Sequence, residues 1–261
     1  MKHTHHPIID LVTWLEQPEG AYIREWEQAQ LQQLTVDIFG FNALQIGLPQ
    51  IDALAASRMP HKWVSNDTLI VPSGEKSAAV RAIHVVHEFT EMPFATHSVD
   101  LVVLPHVLEF AAEPHQILRE VDRILIPEGR LIICGFNPAS LWGMRQMLGR
   151  VANHPYLPEE GEFISLMRLK DWLKLLSMEV NPASFGCYAP PLRTEHWLHR
   201  FSFLEKAGRR WWPYLGAVYM IEAVKRVHGM HLIGPALKTK RRQRGNAVPV
   251  THSKITNQNH Q

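Results

Sequence analysis

His106 and Glu109 stand three residues apart, directly after the apolar run Leu101-Val102-Val103-Leu104. An imidazole at the mouth of a buried strand can take a proton from a bound nucleophile. The competing reading is a helix-start histidine bonded to its own turn, with Glu109 on the helix's polar face. Glu88 follows the apolar stretch Val80–Val86 in the same manner. A carboxylate there can accept a hydrogen bond from a ligand N–H, or it is a solvated loop acid near Glu91. Asp100 opens its strand and is read as structural, because an acid in that place accepts from nearby backbone amides. Asn137 and Trp142 follow a further strand and either face a ligand or serve as turn residue and packed aromatic. The 16 histidines raise the question of a metal. His3, His5 and His6 lie in the terminus, and His87-Glu88-Phe89-Thr90-Glu91 ends in the wrong residue for a zinc helix, so no metal is expected.

The elements that position these residues alternate between strand and helix. Residues 8–36 read as helices broken near Pro18-Glu19-Gly20, with Ile23, Trp26, Ala29 or Gln30, and Leu34 on the packed face. Phe41–Ile46 is a first core strand ending at Gly47. Ala53–Met59 reads as helical, and a second strand lies within Lys62–Val71, at Trp63-Val64 or at Leu69-Ile70-Val71. Val80–Val86 is a third strand. Ser98–Leu104 is a fourth, its continuous apolar run typical of a strand covered on both faces. His115–Leu125 is an amphipathic helix with Ile117, Leu118, Val121, Ile124 and Leu125 on one side. Pro127-Glu128-Gly129 stops it, with the glycine suited to a positive φ. Arg130–Phe136 is a fifth strand. Residues 141–165 read as an insertion, followed by a helix at Arg168–Ser177, a strand near Glu179–Gly186 and a last strand at Ala217–Lys225.

A chain of 261 residues with 46% hydrophobic and 20% charged residues has the composition of a globular α/β domain. Net charge is +2, and much of the positive excess sits in Lys238–Arg244. The body is therefore not a basic nucleic-acid-binding face, and the tail reads as polar and disordered. Trp211-Trp212-Pro213-Tyr214 reads as core or edge packing before the last strand, with an exposed membrane or partner patch as the alternative. Cys134 and Cys187 lie far apart with no CxxC partner, which predicts a reducing, cytoplasmic setting. No apolar run reaches membrane-spanning length.

The segment Glu88–Phe136 resembles the core of class I S-adenosylmethionine-dependent methyltransferases, the type 11 branch that includes ubiquinone and menaquinone biosynthesis enzymes. The resemblance rests on Met92-Pro93-Phe94, Ser98-Val99-Asp100-Leu101-Val102, His106-Val107-Leu108-Glu109-Phe110, Leu118–Leu125 and Pro127-Glu128-Gly129. It implies a Rossmann-like α/β fold: a seven-stranded, mostly parallel sheet with helices on both faces and an antiparallel last strand. It also implies a cofactor crevice at the carboxyl ends of the first strands. Carried over by position, Glu88 accepts from the adenine amino group and Phe89 contacts the ring. Gly47 is the first glycine of the loop after strand one, Asp67 is the candidate ribose acid, and Pro105 and His106 line the methyl-donor side. His106 is the candidate base.

The same loop departs from the family pattern. Gln45 stands where the family has an acid, and Pro49 and Ile51 replace glycines. Proline removes an N–H donor as well as fixing φ. The expectation is a helical cap at 1–37, a methyltransferase-like domain at 38–237 and a basic tail at 238–261. It would transfer a methyl group from S-adenosyl-L-methionine to a small molecule. The alternative, carried by Gln45, Pro49 and Ile51, is an inactive binding or scaffolding protein of the same fold. No motif names the acceptor or an oligomeric state.

Overall fold

The structure, a computed structural model, describes residues 7–68, 83–151, 161–191, 201 and 203–226. Residues through Val227 belong to one compact unit. The tail expected at 238–261 and the second strand candidate Leu69-Ile70-Val71 lie outside the described residues.

Two helices, α1 (Pro7–Leu15) and α2 (Pro18–Thr35), precede the sheet. The strands are β1 (Asn42–Ile46), β2 (His61–Asn66), β3 (Val85–Val86), β4 (Val99–Pro105), β5 (Leu125–Phe136), β6 (Met178–Val180), β7 (Ser184–Gly186) and β8 (Val218–Lys225). Helices α3 (Val107–Phe110) and α4 (Pro114–Ile124) join β4 to β5. Further helices are α5 (Leu141–Val151), α6 (Leu166–Leu175) and α7 (Phe203–Trp211). The sheet order is β3-β2-β1-β4-β5-β8-β6, with β7 also paired to β8. β6 meets residues 223–225 of β8 and β7 meets residues 218–220, so the two short strands share one edge position. The eight strands thus fill the seven positions expected. β1 through β5 pair in parallel, and β8 runs antiparallel to β5.

β4 forms the centre. Leu101, Val102, Val103 and Leu104 are all fully buried between β1 and β5. Asp100 fixes the start of the neighbouring strand, its Oδ2 accepting from the amides of Phe41 (3.1 Å) and Asn42 (2.9 Å).

Several local expectations are corrected. Residues 53–59 form a turn, a bend and irregular backbone, not a helix; at their start the Gln45 side chain holds Ile51 and Ala53 by their backbone. The left-handed residue at the end of the α4 reversal is Glu128 (φ 65°), not Gly129. Gly129 is needed for closeness instead: a Cβ there would lie 2.8 Å from the Ile126 carbonyl oxygen. Residues 141–151 of the expected insertion are helical. The buried stripe of α2 is Glu19, Ile23, Glu27, Leu31 and Thr35, a strict fourfold spacing that includes two acids, whereas Trp26 and Leu34 are only half-buried.

Gly20 sits where α1 and α2 fold against each other. A Cβ there would come to 2.3 Å of the Trp14 carbonyl oxygen and 2.5 Å of the Leu15 Cα. Both are backbone atoms and cannot swing aside. Gly20→Ala is therefore expected to destabilise by about 1–3 kcal/mol in urea unfolding, as overpacking does. Unchanged stability would contradict this packing of the cap.

Candidate cofactor and acceptor site

The parallel strands β1 to β4 end on one edge of the sheet, and β1 and β4 leave it towards opposite sides of the molecule's strand order. Open α/β sheets bind ligands at such a switch point. Gly47 follows β1 with φ 77°. A Cβ on it would lie 2.7 Å from Val107 Cγ2 and 3.9 Å from the ring tip of Phe89. Both its conformation and its neighbours require glycine.

The loop after Gly47 is folded inward. Leu48 and Ile51 are buried, and Leu48 also takes a left-handed φ of 42°. Gln45 holds the loop together. Its Nε2 donates to the carbonyls of Gly47 (3.2 Å), Leu48 (2.9 Å) and Ile51 (2.7 Å), while Oε1 accepts from the Ala53 amide (3.1 Å). The missing family acid has thus become an internal staple.

Among the described residues, buried polar side-chain atoms stand without a partner at or near the ends of β1, β2 and β3, Ser65 Oγ and three acceptors among them. Asn66 is the last residue of β2 and fully buried; its Nδ2 donates to the Thr68 carbonyl, but its Oδ1 has no partner. His87 follows β3 and its Nδ1 bonds the Glu88 carbonyl at 2.7 Å, so that nitrogen carries the proton. The other ring nitrogen, Nε2, is buried and unpartnered. Gln50 Oε1, in the loop after β1, is the third. Unsatisfied buried polar atoms are rare in folded proteins and call for a partner. Sequence reasoning missed Asn66 and His87 as ligand groups; an amide at the last position of β2, near where the resemblance implies an acid, was the available clue for Asn66.

The expected cofactor residues lie at or just past the ends of β2, β3 and β4. Asp67 lies one residue past β2, half-buried, with the Thr68 hydroxyl 3.2 Å from its Oδ1. Glu88 is exposed after β3, and Phe89 beside it is buried. Pro105 ends β4, paired with Cys134 of β5.

His106 is fully buried at the end of β4, in a left-handed conformation (φ 52°). Its Nδ1 bonds Glu109 Oε2 and its Nε2 bonds Glu27 Oε1, each at 2.8 Å. Glu109 Oε1 accepts from the Phe136 amide at 2.6 Å, and the Phe136 ring packs on the imidazole at a centroid distance of 4.2 Å. Burial disfavours the imidazolium, but the Glu27 charge and the hydrogen bonds to Glu109 and Glu27 overcome it, so the histidine is pushed up to about 10. Burial raises Glu109, with His106 pulling the other way. Both directions say that the cluster keeps its proton at neutral pH. The base role expected for His106 needs a free ring nitrogen, and both nitrogens are engaged. Its geometry makes it a brace between the cap helix α2 and the β4–α3 turn.

A cavity of about 420 Å³ opens past α3. Leu108, Glu109, Phe110, Phe163, Ile164 and Trp172 line it, with the exposed Glu162 and Arg168 at its rim. A second, of about 330 Å³, lies between α2, β7 and α7 and includes Trp26, Phe185, Tyr188 and Arg209. Asn137, the other candidate, is a turn residue: its side chain bonds the carbonyls of Tyr214 and Gly216 and the amide of Ala139. Trp142 is packed in the core, its Nε1 donating to the Ala189 carbonyl. Among the described residues, no group of three or more His, Cys, Asp or Glu is arranged to hold a metal ion.

Residues 65–133 match the family described as a methyltransferase domain. The chain is 34% identical over 173 residues to the uncharacterized protein YafS of Escherichia coli (strain K12), covering 66% of each protein. Its fold is similar to a chain of the complex between the Haloferax volcanii Trm112 methyltransferase activator and a methyltransferase, with a TM-score of 0.59 at 16% identity, over 85% of this chain and 99% of that one. A SAM-dependent methyltransferase from Thermotoga maritima aligns with a TM-score of 0.54 at 15% identity, over 78% of this chain and 92% of that one. The matched segment runs from the end of β2 into β5, and the sheet order is that of the Rossmann-like methyltransferase fold these structures share.

Proposed function

We propose that this protein transfers a methyl group from S-adenosylmethionine to a small molecule. The observation that carries the reading is the set of buried, unpartnered acceptors Asn66 Oδ1, His87 Nε2 and Gln50 Oε1 at the ends of β1 to β3. An adenosyl group presents donors, two ribose hydroxyls and an exocyclic amine, which such acceptors can satisfy. The residues therefore fit the cofactor even though the loop after β1 lacks two glycines. When bound, S-adenosylmethionine supplies an electrophilic methyl on a cationic sulfonium.

Each residue then has a defined task. Asn66, with Asp67 one position on, holds the ribose hydroxyls, in place of the family acid. Glu88 accepts from the adenine amino group and Phe89 covers the ring. Gly47 lets the backbone approach, and Pro105 borders the methyl-donor side. His106 positions rather than deprotonates: it holds α2 and α3 across the end of β4. The two carboxyl groups set against the imidazole offset its charge, which suits a neighbouring sulfonium. The cavity beside Glu109, walled by Phe110, Phe163 and Trp172, takes the acceptor, and its apolar walls keep water from the reacting atoms.

A second reading, a binding protein without catalysis, is favoured by the Gln45 staple, which turns three loop carbonyls inward. The two separate on binding of S-adenosylhomocysteine to wild type, Asn66→Ala and Glu88→Ala. Removing an acceptor from a desolvated donor weakens affinity by about 1–3 kcal/mol, roughly 5- to 150-fold. Both variants are expected to lose that much, Glu88→Ala with its melting temperature unchanged and Asn66→Ala with a lower one, because it also gives up the bond to the Thr68 carbonyl. Wild-type affinity in both would remove these residues from the site.

A further inference from the structure

The run Arg209–Leu215 is exposed at every residue. Trp211 is 66% exposed, Trp212 53%, Tyr214 72% and Leu215 45%. Core or edge packing, expected from the sequence, is not what these rings do: the two indoles meet each other edge-on at 5.9 Å. Lys206, Arg209 and Arg210 are exposed on the helix that leads into them. Residues 206–221 contain no acid. Large aromatic rings left in water are unfavourable unless something covers them.

The patch is held rigidly. The Asn137 Nδ2 donates to the carbonyls of Tyr214 (2.8 Å) and Gly216 (2.9 Å), and the Tyr188 hydroxyl donates to the Pro213 carbonyl (2.8 Å). The Tyr214 ring stands edge-on to Phe185 at 5.7 Å. Asn137 also fastens the start of α5 through the Ala139 amide, and from that corner runs a second exposed apolar stripe, Leu141, Met144 and Leu148. Bonds at the base hold the aromatic run in place, so docking need not order it first.

We propose that Arg209–Leu215 is a docking surface for an anionic phospholipid bilayer. Tryptophan and tyrosine suit the boundary between headgroups and acyl chains, where the ring is buried and its polar edge stays wet. Arginine and lysine at the same level meet lipid phosphates. The cores of protein interfaces are depleted of charge, whereas Arg209 and Arg210 adjoin the tryptophans directly. That mixture matches a headgroup layer better than a protein partner. Among the described residues no helix is long and apolar enough to cross a membrane, so this is attachment to a surface. The inference does not depend on methyl transfer.

Co-sedimentation of the full chain with phosphatidylcholine vesicles, and with vesicles of equal parts phosphatidylcholine and phosphatidylglycerol, tests it. Binding is expected to the anionic vesicles and to weaken with added salt. Each lost cation should reduce partition about fivefold, so Arg209→Glu with Arg210→Glu should reduce it by about 25-fold or more. Trp211→Ala with Trp212→Ala should reduce it about tenfold or more and abolish the blue shift of tryptophan emission on binding. Both variants should melt as wild type does. Three results would overturn the proposal: equal binding to both vesicle types, binding that these variants leave intact because the basic tail drives it, or no vesicle binding in a protein that self-associates through the tryptophans.

Discussion

Glu27→Ala is expected to destabilise the protein by about 3 kcal/mol or more, since it takes one of the two carboxyl partners from a buried imidazole and leaves the His106 Nε2 N–H unpaired, with Glu109 remaining on the other nitrogen. The imidazole of His106 is fully enclosed and bonds Glu27 Oε1 at 2.8 Å across 79 positions of sequence. Glu27→Gln keeps an acceptor and should lose less. Guanidinium unfolding followed by far-UV circular dichroism measures both; a loss under about 1 kcal/mol for the alanine variant would show that α2 is not anchored there. The cluster also sets a pH dependence. His106 stands at about 10 in the fold against an ordinary 6.5, so its contribution is complete below pH 6.5 and is lost as pH rises towards 10. Glu109, raised by burial, acts in the same direction, because the folded state holds a proton that the unfolded chain releases. Stability should fall from neutral pH towards pH 10, and His106→Gln should flatten that slope.

Val103→Asp is expected to prevent folding. Val103 has no exposed surface and pairs with Gln45 on one side and Ile132 on the other. A carboxylate there would be enclosed by the apolar centre of the sheet, and burying it costs several kcal/mol, comparable to the whole stability of a domain. Circular dichroism and size-exclusion should show an unfolded or aggregated chain. A variant that purified with wild-type stability would remove β4 from the centre of the sheet.

The stretch from β4 to β5 was legible because each element has one dominant pattern: an apolar strand covered on both faces, then an amphipathic helix, then another such strand. The face of α2 was not. A reader of apolar spacing gives the core to Trp26 and Leu34 and the solvent to Glu27, but His106 arrives from 79 positions away and makes a buried acid the better partner. Tertiary pairing of this kind leaves no local signal. The irregular Ala53–Met59 stretch was hidden for a similar reason, since it opens on bonds to the distant side chain of Gln45. Glu88, Phe89 and Gly47 could be nominated from the order of pieces around them, whereas Asn66 and His87 became candidates only when their unpartnered atoms could be seen. The tryptophans at 211 and 212 were misplaced because an aromatic pair reads as core unless its surroundings are known.

The central claim is that the ends of β1 to β3 still hold an adenosyl group despite the altered loop. Calorimetric titration of the wild-type chain with S-adenosylhomocysteine tests it most directly. The account predicts saturable binding of one ligand per chain, weakened by Asn66→Ala. No heat of binding at millimolar ligand, in a protein that melts cooperatively, would contradict it and leave the fold serving a purpose other than methyl transfer.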